Sequence, residues 1–187
     1  MIVQQGYLPL PIEQLAKSSG VSKALFYAYF PDQYALFNSL LERELNSLLA
    51  GGLDIASQVE GMEHAALLCG TLYFEHVARF GPLLHILIAD RYMAGHVERR
   101  LLKLRNSILL RLSRSARHSL NLSKAEVLAA IEMVIAIPEE SGRLVFTKEV
   151  DVSVGRQLCR TLIGSSLKAL RAPDATLAGL ISTHDVA

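Results

Sequence analysis

The chain has two cysteines, a formal net charge of only +1 and no uncharged stretch of membrane length, and each shortage excludes something. Cys69 and Cys159 lie far apart among apolar residues, a placement that suits two buried thiols and supports neither a disulfide framework nor a metal knuckle. A net charge near zero gives no global field for gathering nucleic acid, so any such role must rest on a local pattern. The longest stretches without a formal charge, such as residues 65–74 and 81–89, fall well short of the roughly 20 residues a membrane helix requires. The opening Met-Ile-Val-Gln-Gln-Gly-Tyr has no basic segment and no small-residue cleavage site, so a cytoplasmic location without a membrane partner is expected. What the 187 residues do hold is apolar material: 51% are hydrophobic and 20% charged, enough to bury a core and too apolar for a disordered chain.

The hydrophobic period is helical almost throughout. From Met62, apolar and aromatic side chains recur at three- and four-residue spacing through Ala65, Ala66, Cys69, Leu72, Tyr73, His76, Val77 and Phe80, which predicts a helix of about five turns. Val97, Leu101, Leu104, Ile108, Leu112 and Ala116 repeat that spacing, with Arg99, Lys103, Arg114 and Arg117 opposite. Residues 99–117 contain seven Lys or Arg; spread around the helix and lacking interleaved aromatics, they read as a solvated face rather than a second nucleic-acid patch. Ser123 followed by Glu126 forms a capping box that starts a third long helix, and Pro138 is expected to kink or restart it, with Glu139 and Glu140 in a new first turn. Val145, Phe146 and Thr147 are the one place where strand formers gather; the alternative there is a helix end plus loop. The expected fold class is all-α.

The most informative stretch lies near the N-terminus. Pro11 presets a short helix carrying Ile12, Leu15 and Ala16, Gly20 ends it, and Ser22 caps a second short helix over residues 23–29. Pro31 breaks the chain again, and Asp32 caps a longer helix with Leu36, Phe37, Leu40, Leu41, Leu45 and Leu48 on its buried side. Helix, glycine-containing turn and helix make the helix-turn-helix plan. Residues 15–36, Leu-Ala-Lys-Ser-Ser-Gly-Val-Ser-Lys-Ala-Leu-Phe-Tyr-Ala-Tyr-Phe-Pro-Asp-Gln-Tyr-Ala-Leu, resemble the DNA-binding signature of the TetR family of transcriptional regulators, with the likeness covering residues 6 to about 45.

The resemblance implies that the helix after the Gly-Val-Ser turn enters the major groove of double-stranded operator DNA. It gives Ser22, Lys23, Ala24, Leu25 and Tyr27 to that contact, with Tyr29 near the backbone and Gln33 at the start of the next helix. The residue types are compatible: hydroxyls and a cation suit phosphates, and a small Ala24 lets the helix approach base edges. Phe26 and Phe30 are expected to hold the helices together, and Leu25 to do either job. The chain departs from the family pattern in three places. The first helix is truncated to the residues before Gly6, Leu10-Pro11 stands where a capping Thr or Ser touches phosphate, and Gln33 replaces a lysine. Residues 1–50 carry Lys17, Lys23 and Arg43 against Glu13, Asp32, Glu42 and Glu44, so weak, salt-sensitive DNA binding is expected.

The boundary expected from Gly51-Gly52 divides a helix-turn-helix domain, residues 1–51, from a helical effector-binding and dimerisation domain, residues 52–187. Residues 127–137 are apolar on nearly every face, and residues 154–170 mix Gly155, Gly164, Ser165 and Ser166 with leucines. Val127, Ile131, Val134, Ile135, Leu158, Leu162, Ser165 and Ser166 are therefore expected at a homodimer interface. Tyr73, His76, Phe80, His85, Tyr92 and Met93 are the candidate contacts of a small, mostly apolar effector. The six histidines show no pairing on one helix face, and no nucleophile, base and orienting group occur together, so neither a metal, a cofactor nor an enzyme is expected. The function implied is a TetR-type repressor released by a small effector. The alternative is a helical small-molecule-binding protein or enzyme that keeps a non-functional helix-turn-helix.

Overall fold

The computed structural model describes residues 1–120 and 122–171. These fold into α1 (Ile2–Gln5), α2 (Ile12–Ser18), α3 (Lys23–Tyr29), α4 (Gln33–Ala50), α5 (Leu53–Ala56), α6 (Met62–Phe80) and α7 (Leu83–Ala89). A 3-10 turn (Arg91–Met93) then leads to α8 (Arg99–Ser119), α9 (Lys124–Phe146) and α10 (Val152–Arg171). The protein is all-α, with no strand among the described residues.

Local signals set the boundaries. Gly20 ends α2 in the left-handed region at φ 68°, and the Val21 amide turns back to donate to the Ala16 carbonyl at 3.0 Å. Ser22 then accepts from the Leu25 amide and Asp32 from the Ala35 amide, fixing the starts of α3 and α4. At α9 both halves of the capping box form, between Ser123 and Glu126.

At two places in α9 the sequence left alternatives that the structure decides. The helix does not restart at Pro138 but runs through it to Phe146. The buried proline ring lies beside Gly70 of α6, where a β-carbon would come within 2.4 Å of Ile163 Cδ1 and 4.0 Å of Pro138 Cγ. The space left by Gly70 is taken by Ile163 of α10 while the proline ring sits at ordinary contact distance, and burial holds a helix that propensity alone would interrupt. Val145, Phe146 and Thr147 form no strand: the first two end α9, Thr147 caps it, and Lys148 turns the chain at φ 63°.

The helices enclose two apolar cores. The first joins Ile2, Leu8, Leu10 and Leu15 to Phe37, Leu41 and Leu45 of α4, and these to Leu83, Leu87, Met93 and Leu101 of the larger body. The second holds Phe74 and Met62 of α6, Val127 of α9 and Cys159, Ile163 and Leu167 of α10. The Gly51-Gly52 joint lies between α4 and α5, yet the first core crosses it freely. Both cysteines are free and buried, and burial pushes each thiol up to about 11. They stay protonated at neutral pH and behave as small hydrophobes.

The basic residues of α8 divide into two groups. Arg100 pairs with Glu42 and Glu98, Arg105 with Glu132 and Arg111 with Asp54, while Arg99, Lys103, Arg114 and Arg117 lie exposed.

The tightest helix crossing is that of α6 and α9. A β-carbon on Gly142 would lie 2.7 Å from Val77 Cβ and 3.0 Å from the Phe74 carbonyl oxygen, and neither is a flexible tip. Gly142→Ala is expected to lower the unfolding free energy by about 1–3 kcal/mol, overpacking outweighing the roughly 1 kcal/mol gain in helix propensity. Urea denaturation followed by circular dichroism measures it.

Candidate nucleic-acid interface and interior cavity

The surface of α3 follows from its cap and one buried aromatic. Phe26 is 7% exposed and packs edge-on against Tyr27 at 5.4 Å and at a tilt against Phe30 at 5.8 Å between ring centroids. Pinning that face turns the rest outward. Ser22, Lys23 and Ala24 are exposed, as are Leu25 at 43%, Tyr27 at 45% and Tyr29 at 75%. Leu25 therefore belongs to the outer face and not to the packing of the helices. Lys23 Nζ lies 3.2 Å from Glu13 Oε1, both side chains in solvent, and such a pair is worth about 1 kcal/mol at most. A phosphate can take the lysine over. Gln33 is engaged elsewhere: its side-chain oxygen accepts from the Leu10 amide at 3.0 Å, tying the loop before α2 to the start of α4.

Beyond α3 the chain enters α4, which is locked to the body at three levels. Near its start, Tyr34 lies stacked between His96 at 3.8 Å and Tyr92 at 4.6 Å. One turn on, buried Asn38 donates to the carbonyls of Tyr34 and His96 and accepts from the Glu98 amide. Further on, Glu44 Oε2 lies 2.8 Å from His76 Nε2, with both side chains almost wholly buried, while Arg43 reaches the other oxygen at 2.8 Å. Burial pushes the Glu44 carboxyl up, but the hydrogen bonds from His76 and Arg43 outweigh it and hold the group below the usual carboxylate value.

The last turns of α4 border an interior cavity of about 240 Å³. Leu45 and Leu48 supply that wall; Met62, Ala66 and Tyr73 of α6, Ile108 and Leu112 of α8 and much of α9 supply others. Polar groups gather at one end. The Tyr73 hydroxyl donates to Glu139 Oε2 at 3.2 Å, and His85 Nδ1 lies 3.0 Å from Glu139 Oε1. Arg105 pairs with Glu132 at 3.2 Å on the same rim. Burial, then the Glu139 charge, raises the Tyr73 phenol far above its ordinary value. The Glu139 hydrogen bond raises His85 above 6.5 despite partial burial.

Of the six candidate effector contacts, the structure brings only Tyr73 and His85 to this cavity. His76 and Phe80 border a separate open depression between α4 and α6; His76 is consumed by Glu44. Tyr92 and Met93 sit in the first core beside α4. Their apolar character came from joining α4 to the body, a purpose the local pattern does not distinguish from a ligand site. Glu139, Arg105 and Glu132 were missed as cavity residues because the sequence places them on two helices with no shared spacing.

The eight residues expected at a subunit interface also divide. Val127, Ile131, Val134 and Ile135 all line the cavity, Val127 being fully buried. Val127, with Ile131 and Val134 half-buried beside it, packs in the second core, and Ile135 is half-buried. Outward on α9 stand Leu128 and Met133, the latter 74% exposed. On α10, Leu158 at 46%, Leu162 at 48% and Ser165 are exposed, and Ser166 is half-buried.

Residues 1–40 match the family model described as bacterial regulatory proteins, tetR family. The match takes in α1, which lies outside the stretch from residue 6 that the motif alone suggested. No curated protein and no solved structure shows a significant match to the chain. None of the described helices is long and apolar enough to cross a membrane.

The buried Glu44–His76 contact yields a pH test. A carboxyl depressed in the folded state adds stability above its unfolded value, near 4.5, and that share is lost as pH falls through the lower folded value. Glu44→Gln is expected to cost about 1–3 kcal/mol at pH 7 and to flatten the fall in stability below pH 4.5, read from urea midpoints across a pH series.

Proposed function

We propose that the chain is a DNA-binding regulator of transcription of the tetR type, whose family model residues 1–40 match, and that it acts as a cytoplasmic homodimeric repressor whose hold on DNA is released by a small, mostly apolar effector. Residues 1–51 read the operator and residues 52–187 bind the effector and the second subunit; residues 172–187 lie outside the described residues. Ser22, Lys23, Ala24, Leu25 and Tyr27 meet the major groove and Tyr29 the backbone, while Gln33 serves the contact by holding Leu10. No enzymatic step, metal or cofactor enters the reading.

The observation that carries it is the reach of α4. Three residues after the outward face of α3 this helix begins, and its far end supplies Leu45 and Leu48 to the cavity wall. A molecule that spreads the cavity displaces α4, and α4 carries α3. In a twofold pair the two reading helices must meet successive major-groove faces about 34–36 Å apart, so a modest shift in each subunit spoils the fit. A coupling of about 1–3 kcal/mol suffices. For the pairing itself, the exposed apolar side of α10, with Val154, Leu158 and Leu162, is the face that most needs a cover.

The rival reading keeps the helix-turn-helix as a non-functional relic, favoured by the slight acidity of residues 1–50 and by the Lys23–Glu13 pair. Binding to labelled promoter DNA next to the protein's own gene separates the two. Lys23→Ala and Tyr27→Ala are each expected to weaken binding at least about tenfold, with Lys23→Ala lowering the salt slope by about 1. Lys23→Ala is expected to move stability by less than about 0.5 kcal/mol, and Tyr27→Ala by about 0.5–1.5 kcal/mol through its lost edge contact with Phe26. Equal losses of stability and binding favour the relic. Light scattering checks the subunit contact: the protein is expected to be a dimer, and Leu158→Glu with Leu162→Glu a folded monomer.

A further inference from the structure

Resting on the effector reading above, the charge balance at the cavity's polar end narrows the effector's chemistry. Arg105 is answered by Glu132. Among the described residues Glu139 has no such permanent counter-charge: its two oxygens meet the Tyr73 hydroxyl and the His85 ring. Its side chain is 18% exposed and stands against an apolar chamber, where an unanswered carboxylate is costly. The Glu139 hydrogen bond favours the protonated form of His85, whose side chain, 55% exposed, marks where the cavity meets solvent.

We propose that the cavity takes a cationic amphiphile, a primary alkylamine or close relative, whose ammonium group replaces His85 on Glu139 while its tail fills the apolar chamber behind Tyr73. The size fits. An apolar cavity of about 150 Å³ accepts a six-carbon ring, so about 240 Å³ accommodates roughly ten non-hydrogen atoms. The tail lies among Leu45, Leu48, Met62, Ile108, Leu112 and Val134. The charged and titratable groups facing this end are Tyr73 from α6, His85 from α7, Arg105 from α8 and Glu132 and Glu139 from α9; among the described residues α4 and α10 line the cavity with apolar side chains alone.

A pH signature follows. At low pH protonated His85 competes for Glu139. As pH rises through the elevated His85 value the imidazole becomes neutral, whereas an alkylammonium keeps its charge to about pH 10. Amine affinity therefore rises across the neutral range, and His85→Ala abolishes the rise.

Isothermal titration of the full chain with octylamine, octanol and octanoate, which share one tail length, tests this. The expected result is that octylamine binds at least about tenfold more tightly than either of the others at pH 8, that Glu139→Gln removes the preference while octanol still binds, and that His85→Ala flattens the pH dependence. Equal affinities, or a preference for octanoate, overturn the cationic assignment and leave the effector reading standing. No heat and no shift in melting temperature with any of the three overturns both. Should Glu139→Gln fail to fold, the His85→Ala pH profile decides, and an amine affinity in wild type that is flat with pH contradicts the proposal.

Discussion

The architecture depends on α4 having too few free faces to move alone. Its early turns are clamped by the Tyr34 stack and the Asn38 hydrogen bonds, its middle by Glu44 against His76, and its apolar stripe by a core drawing on α7, the 3-10 turn and α8. A buried ion-supported contact such as Glu44–His76 is a poor source of net stability, because desolvation offsets most of its attraction. It is a good source of uniqueness, since each partner left alone in that setting costs several times more than the pair. The helix that carries the reading surface is thus registered against the body by polar groups that tolerate one arrangement.

The same helix ends against soft material. Where α4 reaches the cavity, its wall is Leu45 and Leu48, with no polar bond across the gap. In the reading proposed above, volume inserted beside Leu48 moves α4 together with the groups of the body fixed to it, not α4 alone. The polar groups of the cavity stand on α6, α7, α8 and α9, whereas α4 borders it with apolar side chains.

Much of the fold was legible in the sequence because it rests on local rules. Ser22, Asp32 and Ser123 announce three helix starts through short side-chain-to-backbone bonds, and the spacing from Met62 to Phe80 gives α6 whole. The outward face of α3 followed from its motif. Legibility failed wherever a residue's role is set by a helix distant in sequence. Pro138 passes for a breaker until its burial within α9 is seen. Val127, Ile131, Val134 and Ile135 line the cavity, which an apolar run does not reveal because it does not say which side faces a cavity. Tyr92 and Met93 pass for ligand contacts, and Glu139 for a helix-start carboxylate, until tertiary neighbours are known.

The claim at the centre is that the volume of the cavity and the affinity for DNA are one coupled quantity, joined through α4. Ala66 lines the cavity from α6, and Ala66→Phe fills it without touching the reading surface. The decisive measurement is the dissociation constant of this variant for labelled operator DNA beside that of the wild type, with circular dichroism confirming an intact helical fold. The coupling predicts weakening of about fivefold to a hundredfold; unchanged affinity in a folded, cavity-filled variant contradicts it.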